Sequence, residues 1–255
     1  MIFQQPVFPS KSDCYFYHSI TYPDGETVEG TWDIRGRFDE YIGNYPIRGK
    51  TILDIGTASG FLAFKAEAAG GIVTGLEAAS AVEFKRLPVK DEKYFNNRRQ
   101  WQKYYNEIHL IPLKNSWWYS WHKFGSKCKL IYAPIEELYD WDNRFDVVFA
   151  GAIIEHISDP VTAIGAMTRV AREALIIAFT EVLDTDDLVM LPLLGMDQAH
   201  DYMWWRLSRG LYRRIFANVG FDVEFVVTPR AIANTPSGPV EYTRPSIIAR
   251  RRAAG

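Results

Sequence analysis

Asp54, Gly56, Gly60 and Glu77 occur at intervals that suit the binding of a nucleoside-containing cofactor. Asp54 lies in a short apolar run, and the two glycines bracket a turn that opens into a helix-favouring stretch from Phe61. Glycines let a ligand approach the backbone closely, and the unpaired N–H groups of a helix N-terminus attract anionic groups. Glu77 ends the next apolar run, roughly 20 residues beyond the turn, where an acid can accept both hydroxyls of a ribose.

The glycine spacing distinguishes between two kinds of cofactor. A dinucleotide fingerprint would place glycines at positions 56, 58 and 61, but this chain has Gly56, Ala58 and Phe61, and a bulky Phe61 does not suit the close helix–strand packing that the third glycine serves. The spacing Asp-x-Gly-x-x-x-Gly instead resembles motif I of the class I S-adenosylmethionine-dependent methyltransferases. Ala58 replaces the usual middle glycine of that motif.

The resemblance extends over about residues 49–250 and includes a second block, Phe145–Pro160, whose tail Glu155-His156-Ile157-Ser158-Asp159-Pro160 is similar to the family's pattern. It implies S-adenosylmethionine (SAM) as cofactor and S-adenosylhomocysteine (SAH) as product. The resemblance places Ile135 and Glu136 beside the adenine and Gly151 near the reacting centre. The full set of residues that it assigns to the cofactor is Asp54, Gly56, Thr57, Gly60, Phe61, Glu77, Ile135, Glu136 and Gly151.

Two histidines are candidates for a general base. His156 follows a predicted strand, and its ordinary pKa lies near working pH, so it can remove a proton from an acceptor hydroxyl. In the alternative interpretation, which we favour, Glu155 and His156 only orient their loop by hydrogen bonds. His200, beside Tyr202 and Trp204, is the second candidate, and a surface or core histidine is the alternative there. No metal site is predicted.

The pattern of apolar runs predicts an α/β fold. The expected architecture is Rossmann-like: a seven-stranded, mostly parallel sheet with a terminal antiparallel strand and helices on both faces. Residues 1–45 are predicted to form an N-terminal cap, and residues 46–255 the SAM-binding domain, with a Trp-rich insertion at about 84–128. Core packing, a pocket wall and RNA stacking are three interpretations of that insertion.

Individual elements are predicted from local patterns. Besides the elements around the glycine turn, we expect helices over Thr31–Ile42, over Asn115–Phe124 with Gly125 as a cap, and over Val161–Arg172, and a long loop over Glu181–Trp205. The further strands are expected at Lys129–Ala133, Arg144–Gly151, Glu173–Thr180, Asp222–Thr228 and Ser246–Ala249.

Composition narrows the function classes. Apolar residues make up 47% of the 255-residue chain and charged residues 24%, which is typical of a soluble protein. The sequence has neither a transmembrane-length apolar run nor a secretion signal, so we expect a cytoplasmic protein without membrane contact. Its two cysteines indicate neither a disulfide framework nor a metal cluster, and a net charge of −2 gives no general attraction to nucleic acid.

The predicted function is methyl transfer from SAM to a small, aromatic or hydroxylated metabolite, with O-methylation as the first choice. Two alternatives stay open. Some features, among them His18-Ser19-Ile20 and the Trp117-Trp118 pair, resemble a bacterial subgroup related to enzymes that modify wobble uridine in tRNA. The other alternative is a non-catalytic module that binds the cofactor. A homodimer is also compatible with the aromatic content of 15%.

Overall fold

The structure is a computed structural model that describes residues 2–85, 98–142, 144–193, 203–226 and 230–253. Its α-helices are α1 (Phe38–Tyr41), α2 (Phe61–Ala68), α3 (Arg98–Tyr105), α4 (Ile111–Phe124), α5 (Pro160–Val170) and α6 (Arg209–Asn218). A π-helical stretch, Asn106–Leu110, joins α3 to α4, and short 3-10 turns occupy Lys11–Asp13, Ala81–Glu83, Ile135–Asp140 and Ile154–His156.

The strands are numbered in chain order. They are β1 (Ile20–Thr21), β2 (Thr27–Val28), β3 (Trp32–Asp33), β4 (Thr51–Ile55), β5 (Ile72–Glu77), β6 (Lys129–Tyr132), β7 (Phe145–Gly151), β8 (Ala171–Ala178), β9 (Val182–Leu183), β10 (Met190–Pro192), β11 (Trp205–Ser208), β12 (Phe221–Val226), β13 (Arg230–Thr235), β14 (Gly238–Thr243) and β15 (Ser246–Arg251).

The central sheet of the described residues has seven strands in the order β12-β15-β8-β7-β4-β5-β6. Strands β6, β5, β4, β7 and β8 run parallel to their neighbours. The last strand of the chain, β15, is antiparallel to both β8 and β12. The predicted fold class, a mostly parallel Rossmann-like sheet with a terminal antiparallel strand, is therefore confirmed.

Both faces of this sheet are covered, which explains the apolar runs in the sequence. On β4, Ile52 packs into one buried cluster together with residues of α2 and α4, whereas Leu53 and Ile55 belong to a second cluster with residues of α5. Successive side chains of a strand point to opposite faces, so a central parallel strand is apolar throughout. The carboxyl ends of β4, β5 and β7 are thereby fixed relative to one another.

The N-terminal segment is joined to an insertion near the C-terminus. Strand β3 pairs antiparallel with β13, and β13 pairs with β14 in a hairpin that separates β12 from β15. The side chain of Asn234 donates to the carbonyl oxygen of Gly30 at 2.7 Å, which adds a further link between these regions. Sequence patterns did not predict this hairpin.

Two predicted elements are wrong. The helix expected over Thr31–Ile42 is only the four-residue α1, because Asp33 accepts a hydrogen bond from Arg35 N at 3.0 Å and Gly36 has a φ of 72°, a conformation that ends regular helix. The region Glu181–Trp205, expected to be a loop, contains β9 and β10 and the first residue of β11, which form a second small sheet.

The helices predicted over Asn115–Phe124 and Val161–Arg172 are present as α4 and α5 and end close to their predicted C-termini. Helix α4 is longer than predicted because it continues directly from the π-helical stretch, and it ends at Gly125 in the left-handed conformation. Helix α5 begins at Pro160 behind Asp159, whose side chain accepts from Thr162 N. Ser208 caps α6 in the same way, by accepting from Leu211 N.

Candidate functional site

The turn between β4 and α2 adopts the backbone conformation that its glycines permit. Gly56, Ala58 and Gly60 have φ values of 68°, 50° and 84°. A Cβ atom on Gly60 would lie 2.2 Å from Phe64 Cε2, and one on Gly56 would lie 2.9 Å from Ile153 Cγ2. Glycine is therefore required at both positions, while Ala58 adopts the left-handed conformation at an energetic cost of about 1 kcal/mol.

Glu77 ties the end of β5 to this turn. Its Oε2 accepts a hydrogen bond from Ala58 N at 2.9 Å, and its Oε1 accepts from Ala78 N at 3.0 Å. Burial raises the pKa of this carboxyl, while the two backbone hydrogen bonds act in the opposite direction. A carboxylate has about four acceptor positions, so Glu77 can accept further hydrogen bonds from a ligand.

Asp54 lies at the carboxyl end of β4 and is 1% exposed. Its Oδ2 has no hydrogen-bond partner among the described residues. Burial raises the pKa of Asp54 to about 7; a hydrogen bond with Thr57 opposes the rise, and the charge of Glu77 adds to it. A buried carboxylate oxygen without a partner is energetically unfavourable, so this position suits a ligand that brings a hydrogen-bond donor or a positive charge.

The Trp-rich insertion contacts the same turn. Trp117 in α4 is fully buried, and its Nε1 donates to Thr57 Oγ1 at 3.2 Å. The predicted site residue Phe61 begins α2, and its side chain is 2% exposed within the core. Only the backbone of Phe61 is thus available to a ligand, whereas Thr57 couples the turn to α4.

The N-terminal segment covers the start of α2. His18 N donates to Ser59 Oγ at 3.1 Å, and the rings of His18 and Phe61 are 5.7 Å apart. Burial lowers the pKa of His18 to about 4, so its imidazole is neutral at physiological pH. The cap predicted for residues 1–45 therefore contains a segment that lies directly on the glycine turn.

Ile135 and Glu136 lie in the 3-10 turn after β6, next to β5 in the sheet. The register pairs Glu77 with Tyr132, so the turn that follows Tyr132 lies at the same sheet edge as Glu77. Ile135 is half-buried against the core, and the Glu136 side chain is 64% exposed, with its carboxylate 3.6 Å from Lys85 Nζ. This position suits a planar group beside Ile135.

Glu155 and His156 lie in the 3-10 turn after β7. Glu155 is 1% exposed, accepts from Thr180 Oγ1 at 3.1 Å and pairs with Arg244 Nη1 at 3.3 Å. It therefore joins the carboxyl end of β7 to the residues after β8 and before β15. His156 is half-buried on the same turn. His200 lies outside the described residues.

Of two surface cavities, one lies away from the glycine turn and the other lies beside the end of β5. One of about 320 Å³ lies beside α6, and none of its lining residues belongs to the glycine turn. The other, of about 170 Å³, is bordered by Lys114 and Tyr132. Lys114 Nζ lies 4.0 Å from the centre of the Tyr132 ring and donates to Ala79 O at 2.7 Å, so this second cavity lies beside the end of β5.

Neither a metal centre nor a membrane span is found in the part of the chain that the structure describes. In those residues, no three His, Cys, Asp or Glu side chains are arranged to hold a metal ion. Every helix described there is too short or too polar to cross a bilayer.

Comparisons with known proteins establish the fold. No protein-family model matches the chain, and no curated protein matches it. A protein studied for the conversion of a disulfide bond into a thioacetal group during echinomycin biosynthesis is 16% identical, with a TM-score of 0.53 over 85% of this chain and 81% of that one. The N-terminal domain of EvdMO1, crystallised in the presence of SAH and D-fucose, is 17% identical, with a TM-score of 0.52 over 96% and 94%.

A third similar structure has a lower score. Magnesium protoporphyrin IX methyltransferase (ChlM) from Synechocystis PCC 6803 with bound SAM is 12% identical, with a TM-score of 0.48 over 84% of this chain and 76% of that one. The two higher-scoring structures show that this chain shares their overall α/β architecture.

Sequence reasoning did not assign three residues to the site: His18 and Trp117, which contact the glycine turn, and Tyr41, which lies beside Gly151. Trp117 was named only for its resemblance to the wobble-uridine subgroup and as part of the Trp-rich insertion, and an aromatic helix predicts core packing as readily as a functional contact. His18 and Tyr41 lie before the first core strand, and no spacing rule relates them to residues 54–60. Their position follows from tertiary contacts alone.

Proposed function

We propose that this chain is a SAM-dependent methyltransferase that acts on a small molecule. The observation that carries the proposal is the combination of the Glu77–Ala58 hydrogen bond with the buried, unpaired Oδ2 of Asp54 at the neighbouring strand end. SAM contains an ammonium group and ribose hydroxyls, and these two carboxyl groups can accept hydrogen bonds from them. When bound, SAM supplies a methyl group that is already activated by its sulfonium charge.

In this proposal, different residues of the chain bind different parts of the cofactor. Asp54 holds the methionine end, and Glu77 holds the ribose hydroxyls. Gly56, Thr57 and Gly60 let the cofactor approach the backbone closely. The first backbone N–H groups of α2, from Phe61 onward, face the cofactor. Ile135 and Glu136 border the adenine, and Gly151 lies near the reacting centre. The protein's contribution to the reaction is then alignment of the two reactants.

The acceptor is proposed to bind beyond the ends of β7 and β8. Phe179 contacts both Trp32 and Tyr41 there, with ring centroids 5.7 Å apart for Trp32–Phe179 and 5.9 Å for Tyr41–Phe179. An aromatic wall favours a small planar or hydroxylated acceptor over a charged polymer. The EvdMO1 domain, which has the same fold, was crystallised with a sugar, D-fucose.

His156 is proposed as the first candidate for proton removal from the acceptor, beside the interpretation in which Glu155 and His156 only orient their loop. Its half-buried position in the turn after β7 is compatible with contact to an acceptor. Glu155 is committed to Thr180 and Arg244, so it is not available as a base. His200 is retained as a second candidate base. A homodimer and a cytoplasmic location also remain part of the proposal.

Formation of SAH is the assay that tests this function. The purified protein is incubated with SAM and, separately, with phenols, catechols, monosaccharides, small amines or bulk tRNA. We expect SAH to accumulate with a small acceptor and His156→Gln to reduce its rate. Binding of SAM without turnover on any acceptor would favour the non-catalytic module. Methylation of tRNA at the wobble uridine, with an affinity that falls steeply with salt, would favour the tRNA alternative.

A further inference from the structure

Tyr41 brings a phenol from the N-terminal segment to the carboxyl end of β7. A Cβ atom placed on Gly151 would lie 3.3 Å from the Tyr41 hydroxyl oxygen and 3.5 Å from its Cε1. Gly151 ends β7, which pairs in parallel with β4. In open α/β sheets, ligands bind in the crevice beyond the carboxyl ends of such strands. The phenol therefore lies beside Gly151, where the proposed function places the reacting centre.

The backbone and ring of Tyr41 are both held in place. Its carbonyl oxygen accepts from Ser246 Oγ at 2.9 Å, and the same Oγ accepts from Phe179 N at 3.2 Å. The Tyr41 ring stacks on Phe179, with 20° between the ring planes. Phe179 has a φ of 52°, which is strained for a bulky residue. Helix α1 is thus fixed to β15 and to the end of β8, and the hydroxyl position follows from that attachment.

Two carboxyl groups and one cation influence the Tyr41 phenol. The carboxyl groups are those of Glu155 and Asp54, and the cation is Arg244, which itself pairs with Glu155. Burial raises the pKa of Tyr41 above its ordinary value, and the two carboxyl groups act in the same direction, so the phenol keeps its proton at neutral pH. A neutral phenol does not serve as a base. Its oxygen lone pairs, however, favour a nearby positive charge.

We propose that the Tyr41 hydroxyl contacts the methyl-bearing sulfonium group and makes the site prefer SAM to its thioether product SAH. The inference rests on the proposed function, because it needs the cofactor to bind here. SAM carries a positive charge and polarised methyl C–H bonds at its sulfur, whereas SAH has neither. An oxygen at that position interacts more strongly with SAM. Tyr41 is thereby a residue that discriminates between donor and product.

The expected effect is modest and specific. A single C–H···O contact corresponds to a change of about two- to five-fold in a dissociation constant. Tyr41→Phe removes the hydroxyl and keeps the ring that stacks on Phe179, so the attachment of α1 is retained. The change should therefore appear in the ratio of the SAM and SAH dissociation constants, and the SAH constant itself should change little.

The test is calorimetric titration of SAM and SAH into the 255-residue wild-type protein, Tyr41→Phe and Tyr22→Phe. Tyr22 is a matched control: it is another buried tyrosine of the N-terminal segment, but its hydroxyl is 3.0 Å from Ser120 Oγ. Thermal unfolding of all three proteins checks that they fold. We expect the SAM preference to fall about two- to five-fold in Tyr41→Phe and to stay at the wild-type value in Tyr22→Phe.

Three results would overturn the inference, and they differ in what else they exclude. An unchanged ratio in a folded Tyr41→Phe that binds both ligands rejects the role of Tyr41 and leaves the proposed function intact. Equal weakening of both ligands assigns Tyr41 to the attachment of the N-terminal segment instead. A wild-type protein that binds neither ligand rejects the proposed function and this inference together.

Discussion

Asp54 and Glu77 are carboxyl groups at the ends of adjacent parallel strands, yet their hydrogen bonding differs. Glu77 accepts one backbone hydrogen bond from Ala58 in the glycine turn and one from the adjacent Ala78, so its loss affects both the turn and any bound ribose. Asp54 has one oxygen without a partner among the described residues, which leaves it to a ligand. The sequence predicted both residues from spacing, but this division of roles depends on contacts that spacing does not reveal.

Replacement of Glu77 is expected to weaken cofactor binding. Glu77→Gln exchanges one carboxylate oxygen for an amide that cannot accept a hydrogen bond, and a hydrogen bond to a charged group contributes about 1.5–3 kcal/mol. We expect the SAH dissociation constant to rise by about 10- to 100-fold, as measured by calorimetry. Glu173→Gln is the control, since Glu173 pairs with Lys50 at the protein surface. An unchanged SAH affinity in Glu77→Gln would contradict the ribose assignment.

The titration of Asp54 predicts a pH dependence of cofactor binding. In the free protein this carboxyl has a pKa of about 7, so it holds a proton below that pH and loses it above. A ligand ammonium favours the charged carboxylate, so binding releases the proton. Below pH 7 the binding affinity therefore falls by up to about tenfold per pH unit. SAH affinity should rise between pH 6 and pH 8, and Asp54→Asn should flatten this rise. Equal slopes in both proteins would exclude Asp54 as the partner of the ammonium group.

Helix α4 is the element that connects the insertion with the candidate site. Its length of Ile111–Phe124 was only partly predicted, because Pro112 at the start of a helix and the preceding π-helical stretch hide the true beginning. For the insertion that contains Trp117, core packing, a pocket wall and RNA stacking were all open interpretations, and Trp117 is fully buried. The hydrogen bond from its indole to Thr57 depends on the packing of α4 against α2, which no local pattern specifies.

Removal of the Trp117 indole N–H is expected to loosen the glycine turn. Trp117→Phe loses the hydrogen bond to Thr57 Oγ1, at a cost of about 1 kcal/mol, and it also leaves a small cavity. We expect a several-fold weaker SAH affinity and a lower melting temperature. Trp121→Phe is the matched control, because Trp121 Nε1 donates to Cys128 O rather than to the turn. Equal SAH affinities in the two variants would show that α4 supports only the fold.

The whole molecule combines a predictable sheet with connections that were not predicted. Strands such as β4 are buried on both faces, so their apolar runs identify them and, with the glycine turn, the fold class. The hairpin β13–β14 has alternating or exposed residues and pairs with β3 from the opposite end of the chain. Local patterns carry no information on such distant pairing. The contacts of the N-terminal segment with the site were missed for the same reason.

Calorimetric titration of the wild-type protein with SAM, SAH and NADH tests the central claim most directly. The proposed site predicts micromolar binding of SAM and SAH, because Asp54 and Glu77 can accept hydrogen bonds from the ammonium group and the ribose hydroxyls that both ligands share. It predicts no binding of NADH, because Phe61 occupies the position of the third glycine in dinucleotide-binding turns. Binding of NADH, or of none of the three, would contradict the assignment of this crevice to SAM.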